Sequence, residues 1–512
     1  MDELITLVKI VTDRRLAVLP FLDFSDKEST NKDLTLVRLL EEGKLLTKNQ
    51  LTKGVYGKID DRSSTNFRKL KSRVQQKLLN HLYFLDQTDP RHIVSKQYDQ
   101  QCLGLFHQAK ILMGESEYKL AEKLFRKFMR LSSEAEFTHY SALGARVLRK
   151  MYVEMGRPAD YRAMSDKLTV FQTHLMLEDE AEKVYTDMKL ALNHKVYSRK
   201  SLLIQLPTFE KKLEEIHEEI GNYNTFYFLY AARISKHELI GNYQKIIAIT
   251  TETEKAWQED KINKKRFDKR FNNYMSVYAH LQCRQAREGL ELAEGYFKDF
   301  HHSSGNWFYF LETYLLLAIH AKQYGQAVQL LQQARKNPYY SKQRPAAQQR
   351  WELYEAYVQF VRPEQSVLKM RHFTQLVQMV PDYSRDKQGY NVAILILQFL
   401  YFMQQRDIEG LLARLEGLRK YEQRHLRDPA TLRSQLFFRL LVLIVKENFK
   451  PEACEKKGQP LLERLLAAPL PGQAYGEIEI IPYEDLWELT LDMLRQLAAD
   501  DVAAEHASRN RV

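Results

Sequence analysis

The sequence predicts an all-α protein: a superhelical array of helical hairpins behind an N-terminal helical module. Three observations carry that prediction. Glycine and proline are scarce, 19 and 14 in 512 residues, roughly half their usual combined share. Apolar residues recur at steps of three and four through most of the chain, the spacing of one helical face. A four-position pattern then returns about every forty residues, as expected of stacked hairpins. Turn-rich β-sandwiches, propellers and glycine-dependent nucleotide folds are disfavoured by the first observation alone.

In the first 95 residues, helices are predicted over Leu4 to Leu16, Lys32 to Glu42, Asn49 to Tyr56 and Ser64 to Leu85. Ser63 or Ser64 reads as the N-cap of the last. On that helix Phe67, Leu70, Val74, Leu78, Leu82 and Leu85 share a face, while Arg68, Lys69, Arg73 and Lys77 point elsewhere. Between Lys48 and Asp86 nine Lys or Arg face three Asp, so this stretch holds +6 of the chain's +11.

From 96 to 450 the pattern is a hairpin array. Residues at offsets 0, 3, 7 and 10 form Tyr118, Ala121, Phe125, Phe128, then Ala286, Gly289, Ala293, Tyr296. It returns as Tyr324, Ala327, Leu331, Ala334 and as Ile408, Leu411, Leu415, Leu418, whereas the copy opening at Tyr243 and Ile246 is expected to fail at Thr250. From 243 the first positions follow at 286, 324 and 408. These residues resemble tetratricopeptide repeats, best over Tyr314 to Asn337 and next over Ala109 to Leu131. The period is nearer 40 than the family's 34, and HEAT-like pairs are the alternative for the other copies. The resemblance implies that small residues such as Ala121 and Ala327 let helices approach while aromatic residues fill the grooves between them.

A C-terminal helical cap is expected over 451–500, with a strand-like alternation at Glu477 to Pro482, followed by a frayed tail over 501–512. Short helix, turn and basic helix over residues 32 to 85 resemble the helix-turn-helix part of winged-helix domains, although little chain remains for a wing. The resemblance implies nucleic-acid binding through Arg68, Lys69, Lys71, Arg73 and Lys77; the other reading is a helical cap with a solvated basic face. Lys261 to Arg270 forms a second basic run, read as a solvated helix face anchored by Phe267 and Phe271, with phosphate contact as the alternative.

The sequence contains no phosphate-loop, dinucleotide, HExxH or GxSxG motif. The adjacent His301 and His302 make a poor metal clip. Cys102, Cys283 and Cys454 are too few and too distant for a disulfide framework or a CxxC site. Together with the lack of a signal-peptide pattern, they point to a cytoplasmic chain. The expectation is a non-enzymatic scaffold without cofactor or metal that binds a protein or peptide partner. Tyr223, Tyr227, Tyr230, Trp307 and Tyr309 are its candidate contact residues, being large rings with a polar handle. The alternative is a nucleic-acid-binding regulator that uses the repeats for sensing or oligomerisation.

Overall fold

The computed structural model describes residues 2–14, 20–24, 31–41, 47–85, 93–193, 199–361, 390–426, 431–468 and 479–509. Among these residues there are only helices and connections, with no strand. Contacts divide the chain into two units, residues 1–92 with 99–127, and 93–98 with 128–512.

The first unit contains α1 (Asp2–Arg14), α2 (Lys32–Glu41), α3 (Lys48–Tyr56), α4 (Asp61–His81), α5 (Val94–Gly114) and the start of α6 (Tyr118–Glu134). Helices α2 to α4 close on a small core of Leu36, Phe67, Leu70 and Val74, with Leu51, Val55 and Tyr56 packed against it. The turn between α3 and α4 is built by Gly57, whose φ of 75° places it in the left-handed region. Asp60 rather than Ser63 or Ser64 caps α4. Its Oδ1 accepts from the Ser63 N–H at 2.6 Å, and the Ser63 hydroxyl oxygen accepts from the Asp60 N–H at 2.8 Å. The apolar face expected along the whole of α4 is buried only in its first half. Leu78, Leu82 and Leu85 are exposed, and the helix tightens into a 3-10 turn at Leu82–Phe84.

The second unit continues with α7 (Thr138–Glu154), α8 (Pro158–Asn193), α9 (Arg199–Ile220), α10 (Tyr223–Ile240), α11 (Tyr243–Gln258), α12 (Lys269–Gln282) and α13 (Ala286–Tyr296). Then come α14 (Gly305–His320), α15 (Tyr324–Lys336), α16 (Pro345–Val361), α17 (Tyr390–Gln404), α18 (Ile408–His425), α19 (Leu432–Lys446), α20 (Pro451–Ala467) and α21 (Tyr483–Arg509). Each helix packs on its neighbours in sequence, which makes the unit a helical repeat. Helices begin at Tyr118, Tyr243, Ala286, Tyr324 and Ile408, the first positions of the recurring pattern. Ala121, Gly289, Ala327 and Leu411, at the second position, are all buried. The Tyr243 copy does not fail: Thr250 and Thr253 are buried, with the Thr250 hydroxyl donating to the Ile247 carbonyl at 3.0 Å. Ile408 is the departure, being exposed.

One junction recurs between successive helices. Ser116, Glu136, Gly156, Gly241, Asp260, Arg284, Lys322 and Arg406 all have φ between 51° and 73°. After each, the next N–H returns to a carbonyl five residues earlier, as from Gln285 to His280 at 3.0 Å and from Gln323 to Ala318 at 2.8 Å. Six of the eight are not glycine, so the helix stops do not depend on that residue type.

Residues 479–482 form no strand. Ile480 and Ile481 are buried in a bend that plugs the packing here, and the Glu479 carbonyl accepts from His320 Nε2 at 2.9 Å. Helix α21 runs on to Arg509 through the region expected to fray. It does more than close the end of the array: Arg284 pairs with Glu484 at 2.9 Å, Lys322 with Asp485 at 2.8 Å, and Arg406 donates to the Leu497 carbonyl at 3.1 Å. Three left-handed junction residues thus reach one helix. At its base Arg433 is fully buried, bonded to Glu479, to Glu484 at 2.7 Å and to the Leu465 carbonyl at 2.6 Å. Burial works against the Arg433 charge, but the two glutamates more than restore it and its pKa rises.

Ala327 contributes to the helix packing at zero exposure. Ala327→Leu is expected to lower stability by about 1–3 kcal/mol through overpacking, measured by urea denaturation.

Candidate functional site

The residues singled out from the sequence fall in three groups. The first is α4. Arg68, Lys69 and Lys71 are exposed and carry no ion pair among the described residues. Arg73 and Lys77 are committed elsewhere: both meet Asp33 of α2, the Arg73 Nη2 at 2.5 Å and the Lys77 Nζ at 2.8 Å. Asp33 is 3% exposed at its side chain. Burial favours its neutral form, but the bonds and charges of the two cations outweigh this, so its pKa is lowered. Arg73 and Lys77 therefore tie α4 to α2. The sequence placed Asp33 only in a helical first turn, where acids are common, and nothing in its spacing marked the burial.

The second basic run is not a helix face. Residues 261–268 connect α11 to α12, and their charges are matched locally. Lys261 pairs with Glu259, Lys264 with Asp260, Lys265 with Glu134, Lys269 with Asp299 and Arg270 with Asp268. The Arg266 guanidinium lies over the Phe137 ring at 4.4 Å and the Tyr223 ring at 4.6 Å. It donates to the Glu136 carbonyl at 2.9 Å and to Asn224 Oδ1 at 2.7 Å. Nearby, buried Glu178 accepts from Thr138, from Asn222 at 2.5 Å and from Asn224 at 2.8 Å. The run is thus an internal latch in the second unit. Phe267 is buried as an anchor, but Phe271 is exposed.

The five aromatic candidates divide by environment. Trp307 and Tyr230 are core residues, with the Tyr230 hydroxyl donating to Asn272 Oδ1 at 2.9 Å. They present no surface to a partner because neighbouring helices cover them. Tyr223 is half-buried under Arg266, and its hydroxyl donates to the Arg266 carbonyl at 3.2 Å. Only Tyr227, 40% exposed, and Tyr309, 56% exposed, stand in solvent.

Those two belong to a wider face. Helices α10, α12, α14 and α16 are linked side by side: Tyr230 reaches Asn272, α12 packs on α14, and the Glu312 carboxylate accepts from Arg350 at 3.1 Å and Tyr354 at 2.6 Å. Tyr227, Phe271 and Tyr309 lie near the N-terminal ends of the first three helices. One or two turns further along, Tyr274 and Tyr278 are half-buried and stacked, with centroids 6.0 Å apart. Glu238 lies close enough for its charge to act on both phenols. Burial alone pushes the Glu238 carboxyl up to about 7. Phe271, Tyr274, Tyr278 and Glu238 were missed in the sequence; the i, i+3, i+7 spacing of the three rings was the available signal.

Among the described residues no group of three or more His, Cys, Asp or Glu is placed to hold a metal ion, and no helix is long and apolar enough to cross a membrane. His301 bonds Ser303 through Nδ1 at 2.8 Å. Burial raises the Cys102 thiol to about 12 and the Cys454 thiol to about 11, far from the range of a reactive thiolate.

Two outcomes are expected. Asp33→Asn should destabilise the N-terminal unit by about 2 kcal/mol at neutral pH. In urea titrations against pH, the wild-type advantage is full above the ordinary aspartate range and vanishes as pH falls through the lowered Asp33 pKa. Glu238 has the opposite sign. The unfolded chain releases this proton first, so wild type loses stability as pH rises from near 4.5 to about 7. Glu238→Gln should therefore raise Tm at pH 8 and leave it unchanged near pH 4. No protein-family model and no curated protein matches this chain.

Proposed function

We propose that this chain is a non-enzymatic scaffold that binds a protein or peptide partner on the face formed by α10, α12, α14 and α16. The observation that carries the reading is the placement of Tyr227, Phe271 and Tyr309, three exposed rings at the same end of successive packed helices. Large rings left in solvent on adjacent elements provide contact area at little conformational cost. Isolated exposed rings are ordinary on a surface; their repetition along the array is what favours a binding face. The resemblance to tetratricopeptide repeats supports the same reading, since such arrays bind segments along their helices. The double variant Tyr227→Ala/Tyr309→Ala should fold normally by circular dichroism and lose at least about tenfold in partner capture from host extract. Undiminished capture would reject this face.

A second reading is favoured by Arg68, Lys69 and Lys71, exposed and unpaired on one helix. Here α2 to α4 act as a helix-turn-helix-like module and α4 meets nucleic-acid phosphates. Arg73 and Lys77 are unsuitable for the test because they hold Asp33. Arg68→Glu/Lys69→Glu/Lys71→Glu should abolish binding to a labelled duplex, while wild-type binding weakens with a log–log salt slope of about −2 to −3. Salt-insensitive binding, or none, would reject this reading.

A further inference from the structure

Glu238, on α10, is an ionisable group that the fold leaves without a partner among the described residues. It is half-buried in the last turn of α10, and among the described residues no hydrogen bond or ion pair reaches its carboxylate. Several other shielded glutamates of the unit are matched, although Glu254 Oε2 is buried with no hydrogen-bond partner. Glu355 is bonded by Arg335 at 2.6 Å, Glu210 by Arg233 at 3.2 Å and by Lys236, Glu312 by Arg350, and Glu484 by Arg433. Glu178 has a hydroxyl and two amides. Lys236, the nearest cation in sequence to Glu238, is turned to Glu210 instead. A shielded carboxylate without a partner is costly, and matched glutamates elsewhere in the unit show that this fold can supply partners.

The surroundings of Glu238 suit a cation. Tyr274 and Tyr278 lie parallel within 12°, and the buried Tyr243 backs Tyr278 edge-on at 5.9 Å. Aromatic faces attract cations through their quadrupole. The C-terminal end of α10 adds the negative end of a helix dipole, its last carbonyls being capped by the left-handed Gly241. Carboxylate, ring faces and helix end all favour positive charge. Tyr274 lies close enough to both Glu238 and Tyr309 for each to act on its phenol, and so links the site to the exposed row of Tyr227, Phe271 and Tyr309.

We propose that Glu238, with Tyr274 and Tyr278, forms a receptor for one cationic side chain, an alkylammonium or guanidinium, carried by a partner segment lying along the Tyr227–Phe271–Tyr309 face. The proposal rests on the scaffold reading for the identity of the ligand's carrier, but the receptor itself is testable without the partner. The ammonium or guanidinium replaces solvent at the carboxylate, and its alkyl stem covers the rings.

The test uses the full chain and three small probes observed by saturation-transfer NMR: N-acetyl-lysine methylamide, N-acetyl-arginine methylamide and the uncharged N-acetyl-norleucine methylamide. Wild type is expected to bind one or both cationic probes at least about tenfold more tightly than the norleucine probe, and the ratio between lysine and arginine identifies the head group. Glu238→Gln, which removes an unfavourable charge and should fold, is expected to bring all three probes to the same weak level. Tyr278→Leu, which keeps the carboxylate and deletes a ring, should weaken the cationic probes severalfold. Equal binding of charged and neutral probes, no binding of any probe to wild type, or an unchanged cation preference in Glu238→Gln would overturn the receptor. The scaffold reading fails separately: capture unaffected by Tyr227→Ala/Tyr309→Ala rejects the face, whatever the probes do at Glu238.

Discussion

A helical hairpin cannot hide its own apolar stripe, and the architecture of the second unit follows from that constraint. Each pair of helices completes its burial only against the next, so residues at the closest approaches must be small or well fitted. Gly289 shows how tight the fit is: a Cβ there would stand 2.8 Å from both His280 Cβ and Leu317 Cδ2. Gly458 plays the same part for Trp487, whose ring would lie 3.0 Å from an added Cβ. With the interior assembled pair by pair, the stability of one hairpin depends on its neighbours more than on remote parts of the chain.

Charge is used as a fastening between elements. Arg266 joins the α11–α12 connection to the α6–α7 junction and the start of α10, while Arg433 joins α19 to the plug at 479–482 and to α21. Asp33 does the same inside the first unit. In each case a charged group is shielded where hydrogen bonds satisfy it, which keeps the desolvation cost from dominating. Basic runs in the sequence therefore give little guide to partner binding. Five cations between Lys261 and Arg270 meet carboxylates and the sixth lies between two rings, whereas Arg62, Arg68, Lys69 and Lys71 on α4 remain in solvent.

Much of the fold was legible because helix periodicity is local. The starts at Tyr118, Ala286, Tyr324 and Ile408 follow from ring and small-residue spacing. The copy at Tyr243 was misjudged because a threonine counts as polar, although a hydroxyl bonded back to its own helix can be buried. Burial over α4 was overestimated beyond Val74, since periodicity says which residues share a face but not how far a neighbour covers it. The strand-like alternation near 480 belongs to a plug whose register is set by His320 and Arg433, both distant in sequence. Of the candidate site, Tyr227 and Tyr309 could be named from composition, but separating them from Tyr230 and Trp307 needed the packing. Glu238 was invisible because lacking a partner is a property of three-dimensional surroundings.

The path of α21 bears on how the chain acquires its native state during synthesis. Arg284, Lys322 and Arg406 belong to segments that leave the ribosome well before residues 484–497, to which they bond. Nascent hairpins can stack in order as they emerge, but these junctions gain their brace only after residues 484–497 have been made. A chain ending before Tyr483 would retain the pairwise stack and lack the element that spans it, leaving adjoining hairpins to respond to strain one at a time.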